Sequence, residues 1–355
     1  MPDIVIQHEA LVDFGRNLLL AAGVRSDSAD LVAVSLGASN LRGVDSHGMQ
    51  LLPFYIEKIR EGNVNITTEG RVDHEDAGCL VYHGDNGIGQ VIARRCCDHA
   101  IRLARAHGTA TVVAHDSNHF GAAAYWAQRM SAAGMIGVVM CNASPMVAPW
   151  QGKERRYGTN PICMALPGPN RWLLDMATTT VAMGKIFKAE ISGEPSIPHG
   201  WAMDANGVPT TDTKVALEGL PMPLGGYKGY GLAMMAEILC GALSGGAMSL
   251  EVGGIRIQGR PMRVSQFYQA IDVSRFMPVE TFSERIGRLV GMMKSSAPAG
   301  GYDEVLVAGD PEWRNEAVRR ESGIPLSQGV WKTLTDTASV LGVTPPPVST
   351  MVGNA

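Results

Sequence analysis

The feature that most constrains the fold is an alternation of two hydrophobic patterns between residues 79 and 142. Short β-like runs at Cys79–His83, Thr111–His115 and Ile136–Asn142 alternate with helical patterns at Gln90–His107 and Ala122–Ala133. This alternation is typical of a layered core in which helices cover a sheet. The sequence therefore predicts an α/β fold.

Helical patterns lie on both sides of this alternation. Residues 8–60 have apolar positions at helical spacing, and Gly62 is placed to end the last of these helices. Near the other end of the chain, Glu312–Glu321 predicts a charged helix and Trp331–Leu341 an apolar one. We expect residues 344–355, which are rich in proline, to form a loose tail.

Further segments complete the predicted element order. Val64–Thr67 is a short β-like run, and Ile162–Leu166 and Trp172–Met176 are predicted to be paired strands. The composition of Ser192–Thr213 predicts a loop. Gly231–Leu243 predicts an apolar helix packed inside a globular protein, because a glutamate and several glycines interrupt this stretch and argue against a membrane span.

Composition limits the classes of function. The chain has 30 basic and 34 acidic residues and no Lys/Arg-rich run, so it lacks the clustered basic surface that nucleic-acid binding requires. Its 6 cysteines form no C-x-x-C pair, and we interpret them as buried free thiols in a reducing compartment. The first residues show no signal-peptide pattern, so we expect a cytoplasmic protein without a membrane segment.

Two turns that contain histidine are the first candidates for chemistry. Asp45–Gly48 is a dense polar cluster between helical patterns, and Ser117–Gly121 follows a predicted strand. A histidine titrates near neutrality and can give or take a proton, and strand ends in α/β cores are where sites tend to form. The alternatives are a plain surface loop for the first turn and a helix cap for the second.

Three further segments suggest ligand binding, although no standard nucleotide motif is present. The chain has neither a G-x-G-x-x-G that opens a helix nor a Walker A motif. Tyr157–Pro161 is either a simple turn or part of a site, and Asp175–Thr180 either cradles a phosphate or caps a helix. Gly225–Gly231 lets the backbone approach a ligand closely, and Lys228 adds a charge suited to a phosphate or ribose oxygen.

Taken in order, these segments resemble the malate/L-lactate dehydrogenase-like family of NAD(P)-dependent oxidoreductases, which lies outside the Rossmann group. The matching segments are Asp45–Pro53, Gly84–Gln90, Ser117–Gly121, Gly158–Pro161, Leu174–Ile186 and Gly225–Gly231. Within the family, Gly207–Thr211, Gly241–Gly246 and Gly323–Leu326 are most similar to the hydroxycarboxylate dehydrogenase B branch.

The resemblance implies a non-Rossmann α/β fold with a mixed-sheet core and a helical domain formed from both chain termini. We assign residues 1–70 and 310–345 to the helical domain, 71–309 to the core that binds cofactor and substrate, and 346–355 to the tail. The family's members are typically homodimers with the cofactor near the subunit interface, so we expect a homodimer.

The resemblance also implies the site. His47 is the expected proton donor, Ser46 or Asp45 would steer its ring, and His119 is the second histidine, which hydrogen-bonds the substrate oxygen or acts as partner acid or base. The expected cofactor-binding residues are Asn142, Ser144, Asp175, Met176, Ala177, Thr178, Thr179 and Lys228, and the expected substrate-binding residues are Thr159, Asn160 and Arg156. No metal ligand is expected.

One position departs from the family pattern. Many members have an arginine three residues after the Ser-His-Gly glycine, where it can clamp a substrate carboxylate, and here this residue is Leu51. We hypothesise that Arg155 or Arg156 takes over that function.

The expected activity is the NAD- or NADP-dependent interconversion of a 2-oxo acid and a 2-hydroxy acid. The alternatives are reduction of a cyclic imino acid and a metal-dependent hydrolase or lyase.

Overall fold

A seven-stranded mixed sheet and the helices around it organise the chain, whose computed structural model describes residues 3–257 and 259–350. The strands are β1 Ile4–Ile6, β2 Arg71–Asp76, β3 Cys79–His83, β4 Thr109–Ser117, β5 Met135–Cys141, β6 Ile162–Ala165, β7 Leu173–Met176, β8 Ala202–Met203, β9 Pro209–Thr210, β10 Leu220–Pro221, β11 Val264–Asp272, β12 Ile324–Leu326 and β13 Ser349–Thr350. The helices are α1 His8–Ala21, α2 Ser26–Leu41, α3 Leu52–Arg60, α4 Gly89–His107, α5 Ala123–Ser131, α6 Met183–Ile191, α7 Thr213–Glu218, α8 Tyr227–Glu237, α9 Val279–Lys294, α10 Asp310–Ser322 and α11 Gln328–Leu341.

The order of the large sheet is β2-β3-β4-β11-β5-β6-β7. Only β3 and β4 pair in parallel, and the other neighbours are antiparallel. Strand β11 comes late in the sequence yet lies in the middle, between β4 and β5. The sheet is therefore mixed, and its centre is completed only when a distant segment inserts.

Helices cover both faces of the sheet, as the alternating patterns predict. On one face, α4 and α5 bury Cys96, Cys97 and Trp126 against β11, where Tyr268 is fully buried. On the other face, α8 and the π-helical turn Ile238–Ala242 that continues it pack against the middle strands. No helix among the described residues is both long and apolar enough to cross a membrane.

A second core joins the two ends of the chain. The apolar faces of α1, α2 and α3 pack with β12 and α11 around Leu11, Leu18, Leu36, Ile324 and Leu334. The strand β1 also pairs with β12 and with β13. This arrangement confirms the fold class, a mixed-sheet core with a helical part built from both termini; the exact domain bounds stay a prediction.

Most predicted elements are present, and a few are not. Val64–Thr67 is not a strand, because only Asn65 forms an isolated bridge there, and the edge strand is β2 instead. Ser192–Thr213 contains β8 and β9 within the predicted loop. The expected tail carries β13, and its last residues, 351–355, lie outside the described part of the chain.

The six cysteines are all free. Five of them are buried, as expected, whereas Cys79 is exposed because it begins β3 near the edge of the sheet.

Candidate active site

The strand directions bring the candidate segments to one edge of the sheet. Because β4, β5 and β7 run the same way and β6 runs against them, the ends of the first three and the start of β6 meet there. The segments at this edge are Asn118–His119, Asn142–Ser144, Thr159–Pro161 and Asp175–Thr180. Polar segments separated in sequence thus share one region because of the sheet topology.

The two predicted histidines meet at this edge. The rings of His47 and His119 are stacked, with centroids 5.7 Å apart. His47 belongs to the 3₁₀ turn Asp45–His47, between α2 and α3, and His119 follows β4. The structure therefore joins a residue of the helical part to a residue of the sheet.

The turn that carries His47 is held by Asn40 and Arg319. Asn40 donates to the Asp45 carboxylate at 2.6 Å and accepts from the Met49 backbone N–H at 2.8 Å. Arg319 of α10 binds the same carboxylate in a bidentate manner, at 2.7 and 2.9 Å. A Cβ at Gly48 would collide with the Asn40 side chain, which explains the glycine of the Ser-His-Gly motif.

Ser46, rather than Asp45, contacts His47, the expected proton donor. The Ser46 hydroxyl lies 3.0 Å from His47 Nδ1, whereas the Asp45 carboxylate is occupied by Asn40 and Arg319. Of the two residues expected to steer the ring, Ser46 is the one in position to do so.

The surroundings of His119 fix its tautomer. The Gly121 backbone N–H donates to His119 Nδ1 at 3.2 Å, and the Tyr55 hydroxyl lies 2.6 Å from the same nitrogen. A backbone N–H can only donate, so Nδ1 is the acceptor and Nε2 carries the proton. Burial raises the pKa of Tyr55 far above its usual value, so its hydroxyl keeps the proton that it donates.

Burial keeps both histidines neutral in the resting protein. It lowers the pKa of His47 below its ordinary value of 6.5. It lowers the pKa of His119 to about 3, and the neighbouring His47 adds to this shift. His119 is consequently a neutral hydrogen-bond donor at working pH.

A cleft opens beside His47. Its lining combines the end of α2 and the His47 turn with the end of β7 and the start of α10. The predicted residues that line it are Ser46, His47, Thr159, Asp175, Met176 and Ala177. Residues that the sequence analysis did not single out also line it, namely Arg42, Gly121–Ala123, Leu306–Gly309 and Glu312.

Asp175 is the acidic group of this cleft that comes from the sheet. Its carboxylate accepts from the Ala124 backbone N–H at the beginning of α5, at 2.9 Å. The side chain remains accessible from the cleft, yet the surrounding protein raises its pKa to about 6, while that hydrogen bond and Arg42 oppose the rise. It is therefore an ionised acceptor at neutral pH.

Thr178 and Thr179 are buried and bonded to the backbone. Thr178 Oγ1 donates to the Thr159 carbonyl at 2.9 Å, and Thr179 Oγ1 donates to the Val181 carbonyl at 3.0 Å. The Leu224 N–H donates to the Thr178 carbonyl at 2.9 Å, which attaches the segment before α8 to the cleft wall. The two threonine hydroxyls thus form hydrogen bonds that stabilise the backbone of the cleft wall.

Asn142 and Asn160 are also held internally. Both are at most 1 % exposed, and their amides reach the buried carboxylate of Glu237 at 3.3 Å. Asn142 further donates to the Ala247 carbonyl, and Asn160 accepts from the Ala143 N–H. These contacts bind the sheet edge to the end of α8 and leave the amides fully engaged.

The remaining predicted residues lie off this cleft. Lys228 and Arg156 are exposed and are not among its lining residues, and Ser144 is half-buried and also not among them. The Arg156 guanidinium binds Glu154 and the Arg155 carbonyl. The cofactor contact of Lys228 and the substrate contact of Arg156 stay predictions, and a single chain does not bring either residue to His47.

Tyr55 and Arg319 are the functional neighbours that sequence reasoning missed. Tyr55 lies on α3, in helical register with the buried Leu51 and Leu52, so its spacing resembles that of a core aromatic. Arg319 is 274 residues from its partner Asp45, and no local pattern links the two.

The comparisons with known proteins bear on what this cleft does. A model of the malate/L-lactate dehydrogenase family matches residues 6–335. The chain belongs to this family. The match confirms the predicted family and, with it, the predicted enzyme class, an NAD(P)-dependent dehydrogenase that acts on CH–OH groups.

Several curated relatives span nearly the whole chain. Malate dehydrogenase of Pyrococcus horikoshii is 37% identical over 349 residues, which cover 96% of each chain. Ureidoglycolate dehydrogenase (NAD(+)) of Escherichia coli K12 is 35% identical, covering 93% of this chain and 94% of the relative. The expected similarity to hydroxycarboxylate dehydrogenase B is confirmed by the protein of Escherichia coli O157:H7, which is 34% identical and covers 94% of each.

Solved structures of the family agree with the fold. Malate dehydrogenase from Pyrococcus horikoshii OT3 superposes with a TM-score of 0.89 at 34% identity, covering 97% of each chain. Δ1-piperideine-2-carboxylate reductase from Pseudomonas syringae pvar. tomato superposes with a TM-score of 0.82 at 26% identity, covering 94% of this chain and 99% of that one. Family members similar to this chain therefore include both a hydroxy-acid dehydrogenase and an imine reductase.

Proposed function

We propose that this dehydrogenase interconverts a 2-oxo acid and a 2-hydroxy acid, with His47 as the group that gives or takes the proton. The observation that carries the proposal is the stacked pair His47–His119, of which His47 lines the same cleft as Asp175. Family membership limits the chemistry to oxidation or reduction with a nicotinamide cofactor.

The cleft fits a nicotinamide dinucleotide. Asp175 offers an ionised carboxylate to ribose hydroxyls, and Met176 and Ala177 offer backbone groups and apolar surface beside it. We propose that NAD or NADP binds along this wall, where its nicotinamide ring supplies or accepts the hydride.

The two histidines have different tasks. His119 cannot take a proton at its occupied Nδ1, so we propose that its Nε2–H donates to the substrate oxygen and orients it. His47 is free of this restraint, and Ser46 orients its ring through Nδ1. In reduction, His47 protonates the oxygen as negative charge develops on it, and in oxidation it removes the hydroxyl proton.

His47→Ala tests this assignment. Positioned acid–base catalysis contributes about 10²–10⁴-fold, so we expect kcat for the reduction of phenylpyruvate to fall at least about 100-fold. NADH affinity, measured by fluorescence titration, should change little. The control is His74→Ala, which removes an exposed histidine of the edge strand β2. Near-normal turnover of the His47 variant would refute the assigned role.

Because burial lowers the pKa of His47, the direction in which the rates of reduction and oxidation change with pH can be predicted. Reduction needs the protonated ring, so its kcat/KM should rise as pH falls from 8 towards a value below 6.5. Oxidation needs the neutral ring, so it should be insensitive to pH above that value. Rates in both directions across pH 5.5–9 measure this, and a reduction rate that rises with pH would contradict it.

A second candidate reaction is the reduction of a cyclic imino acid. It is favoured by the structural similarity to Δ1-piperideine-2-carboxylate reductase. Side-by-side assays with phenylpyruvate and Δ1-piperideine-2-carboxylate separate the two reactions. Among the described residues, the side chains whose ligand atoms lie close enough together to hold a metal ion are those of His83, His115 and Asp116. This group does not include His47 or His119, so the proposed site does not favour a metal-dependent hydrolase or lyase.

We also propose a homodimer in the cytoplasm. Large apolar side chains are exposed along α8 and the segment that follows it, namely Met234, Met235, Ile238, Leu243, Met248 and Leu250. Such a continuous apolar surface favours association with a second copy. Light scattering should give twice the mass of one chain, and Ile238→Asp should lower it; a monomeric mass for the unaltered protein would contradict the proposal. The location stays a prediction.

A further inference from the structure

Arg42 is a buried cation that forms no ion pair with an acidic side chain among the described residues. It follows the last residue of α2 and is 6 % exposed. Its Nη1 lies 3.5 Å from Gln128 Oε1, which is at the limit of a hydrogen bond, and its Nε has no partner in the described part of the chain. Burying a guanidinium is costly unless a negative group compensates its charge.

The cleft supplies the place for such a group. Among the residues that line it, Arg42 is the only arginine or lysine. Arg42 lowers the pKa of Asp175, yet the structure shows no ion pair between the two side chains among the described residues. Arg42, which also borders the groove that Gln128 lines, thus brings a positive charge to the cleft and forms no ion pair with an acidic side chain among the described residues.

The other cationic positions expected from the sequence do not serve this cleft. Leu51, where the family resemblance implies an arginine, is an apolar residue buried in the core. Arg156 is exposed and bound to Glu154. Among the residues that line this cleft, Arg42 is therefore the positive group available to a substrate carboxylate.

Arg42 also lies on the same wall as the proton donor. The chain runs from Arg42 through Val44 and Ser46 to His47, and all four residues line the cleft. In a 2-oxo acid the carboxylate is bonded directly to the carbonyl carbon. A substrate whose carbonyl oxygen meets His47 consequently brings its carboxylate to this wall.

We infer that Arg42 binds the carboxylate of the 2-oxo acid and so selects acids over neutral carbonyl compounds. This inference rests on the proposed function and deepens it. An arginine is suited to the task because its planar guanidinium can bind both carboxylate oxygens at once.

The experiment compares phenylpyruvate with its methyl ester, which lacks the negative charge. We expect Arg42→Gln to lower the acid-to-ester ratio of kcat/KM about 10- to 100-fold, as for the loss of a hydrogen bond to a charged group. Arg42→Lys should keep more of the ratio than Arg42→Gln, because it keeps the charge. The affinity for NADH should be unchanged. The control is Arg102→Gln, which removes an exposed arginine of α4 that pairs with Glu75 away from the cleft and should leave the ratio unaltered.

Two results would overturn the inference. An acid-to-ester ratio equal to that of the unaltered enzyme would show that Arg42 does not recognise the carboxylate. Weaker NADH binding at a constant ratio would assign Arg42 to the cofactor's phosphates instead. If Arg42→Gln does not fold, as judged by circular dichroism, the ratio measured for Arg42→Lys decides the question.

Failure of the proposed function gives a different result. The unaltered enzyme would then bind NADH but reduce neither phenylpyruvate nor its ester. The inference would still be decided by calorimetric titration of the NADH-loaded protein with oxamate, an unreactive 2-oxo acid analogue. Binding that is lost in Arg42→Gln supports it, and equal binding by both proteins contradicts it.

Discussion

At the scale of single residues, the chemistry of the cleft depends on which nitrogen of each histidine carries a proton. His119 receives the Gly121 N–H and the Tyr55 hydroxyl at Nδ1, so its other nitrogen is a donor. His47 has one neighbour at Nδ1, the Ser46 hydroxyl, which can donate or accept. The hydrogen bonds thus distinguish the two histidines, and the two proposed roles are based on this difference.

Tyr55→Phe tests the restraint on His119. Removing one hydrogen bond of about 0.5–1.5 kcal/mol should lower kcat about 2- to 10-fold and leave NADH affinity unchanged. It should also raise the pKa of His119, because the lost donor favoured the neutral ring. Steady-state kinetics and NMR titration of the histidine resonances measure the two effects.

The matched control is Tyr125→Phe, which changes a half-buried tyrosine of α5 whose ring packs edge-to-face against Trp126. Equal kinetic effects of the two substitutions, or an unchanged His119 titration in the Tyr55 variant, would contradict the positioning role.

At the scale of elements, the start of α8 is fastened to the cleft wall by close backbone contact. The Gly229 N–H donates to the Leu224 carbonyl at 2.7 Å, and Leu224 in turn donates to the Thr178 carbonyl. A Cβ at Gly229 would lie 2.7 Å from that Thr178 carbonyl oxygen and closer still to Leu224. In this glycine-rich segment, Gly229 is therefore required by packing against the residues that follow β7.

Gly229→Ala and Gly231→Ala should have opposite effects on stability. We expect the first to destabilise the protein by about 1–3 kcal/mol through overpacking and to weaken NADH binding, because it displaces the wall behind Asp175. The second meets open space in the same helix and should be neutral or stabilising by up to about 1 kcal/mol. Urea unfolding and NADH titration measure both, and equal stabilities would refute the packing argument.

At the scale of the whole molecule, the C-terminal helices hold the N-terminal turn that carries His47. Arg319 of α10 binds Asp45 across 274 residues of sequence, and α11 packs against α1 and α3 in the same core. The position of His47 relative to the sheet consequently depends on segments from both ends of the chain.

Arg319→Gln should therefore lower activity more than stability. Breaking the ion pair should change the free energy of unfolding by about 1 kcal/mol, because Asp45 is partly exposed. Since a small displacement of a catalytic group is costly, kcat should fall about tenfold or more. Arg319→Lys should restore part of the rate.

Arg320→Gln is the control, because Arg320 pairs with Glu316 inside the same helix. A positioning role of Arg319 is contradicted if both glutamine variants lose the same activity. It is also contradicted if the loss of activity in Arg319→Gln is no larger than its loss of stability explains.

The sequence by itself determined the local part of this protein. Alternating apolar patterns located β3, β4, β5, α4 and α5, because burial on a sheet or a helix imposes a period that can be read directly. The two histidine turns were also identified from the sequence, because each combines a polar cluster with a side chain that titrates near neutrality. Val64–Thr67 was misread because a short apolar run has no period that separates a strand from an extended loop.

Only the tertiary structure decided how these parts meet. It placed the late strand β11 at the centre of the sheet, tied Arg319 to the His47 turn, engaged Asn142 and Asn160 internally, and left Arg42 buried without an anion. Each of these depends on contacts between segments far apart in the chain. Such contacts leave no periodic signal in a single sequence, since they are set by packing and not by local backbone preference.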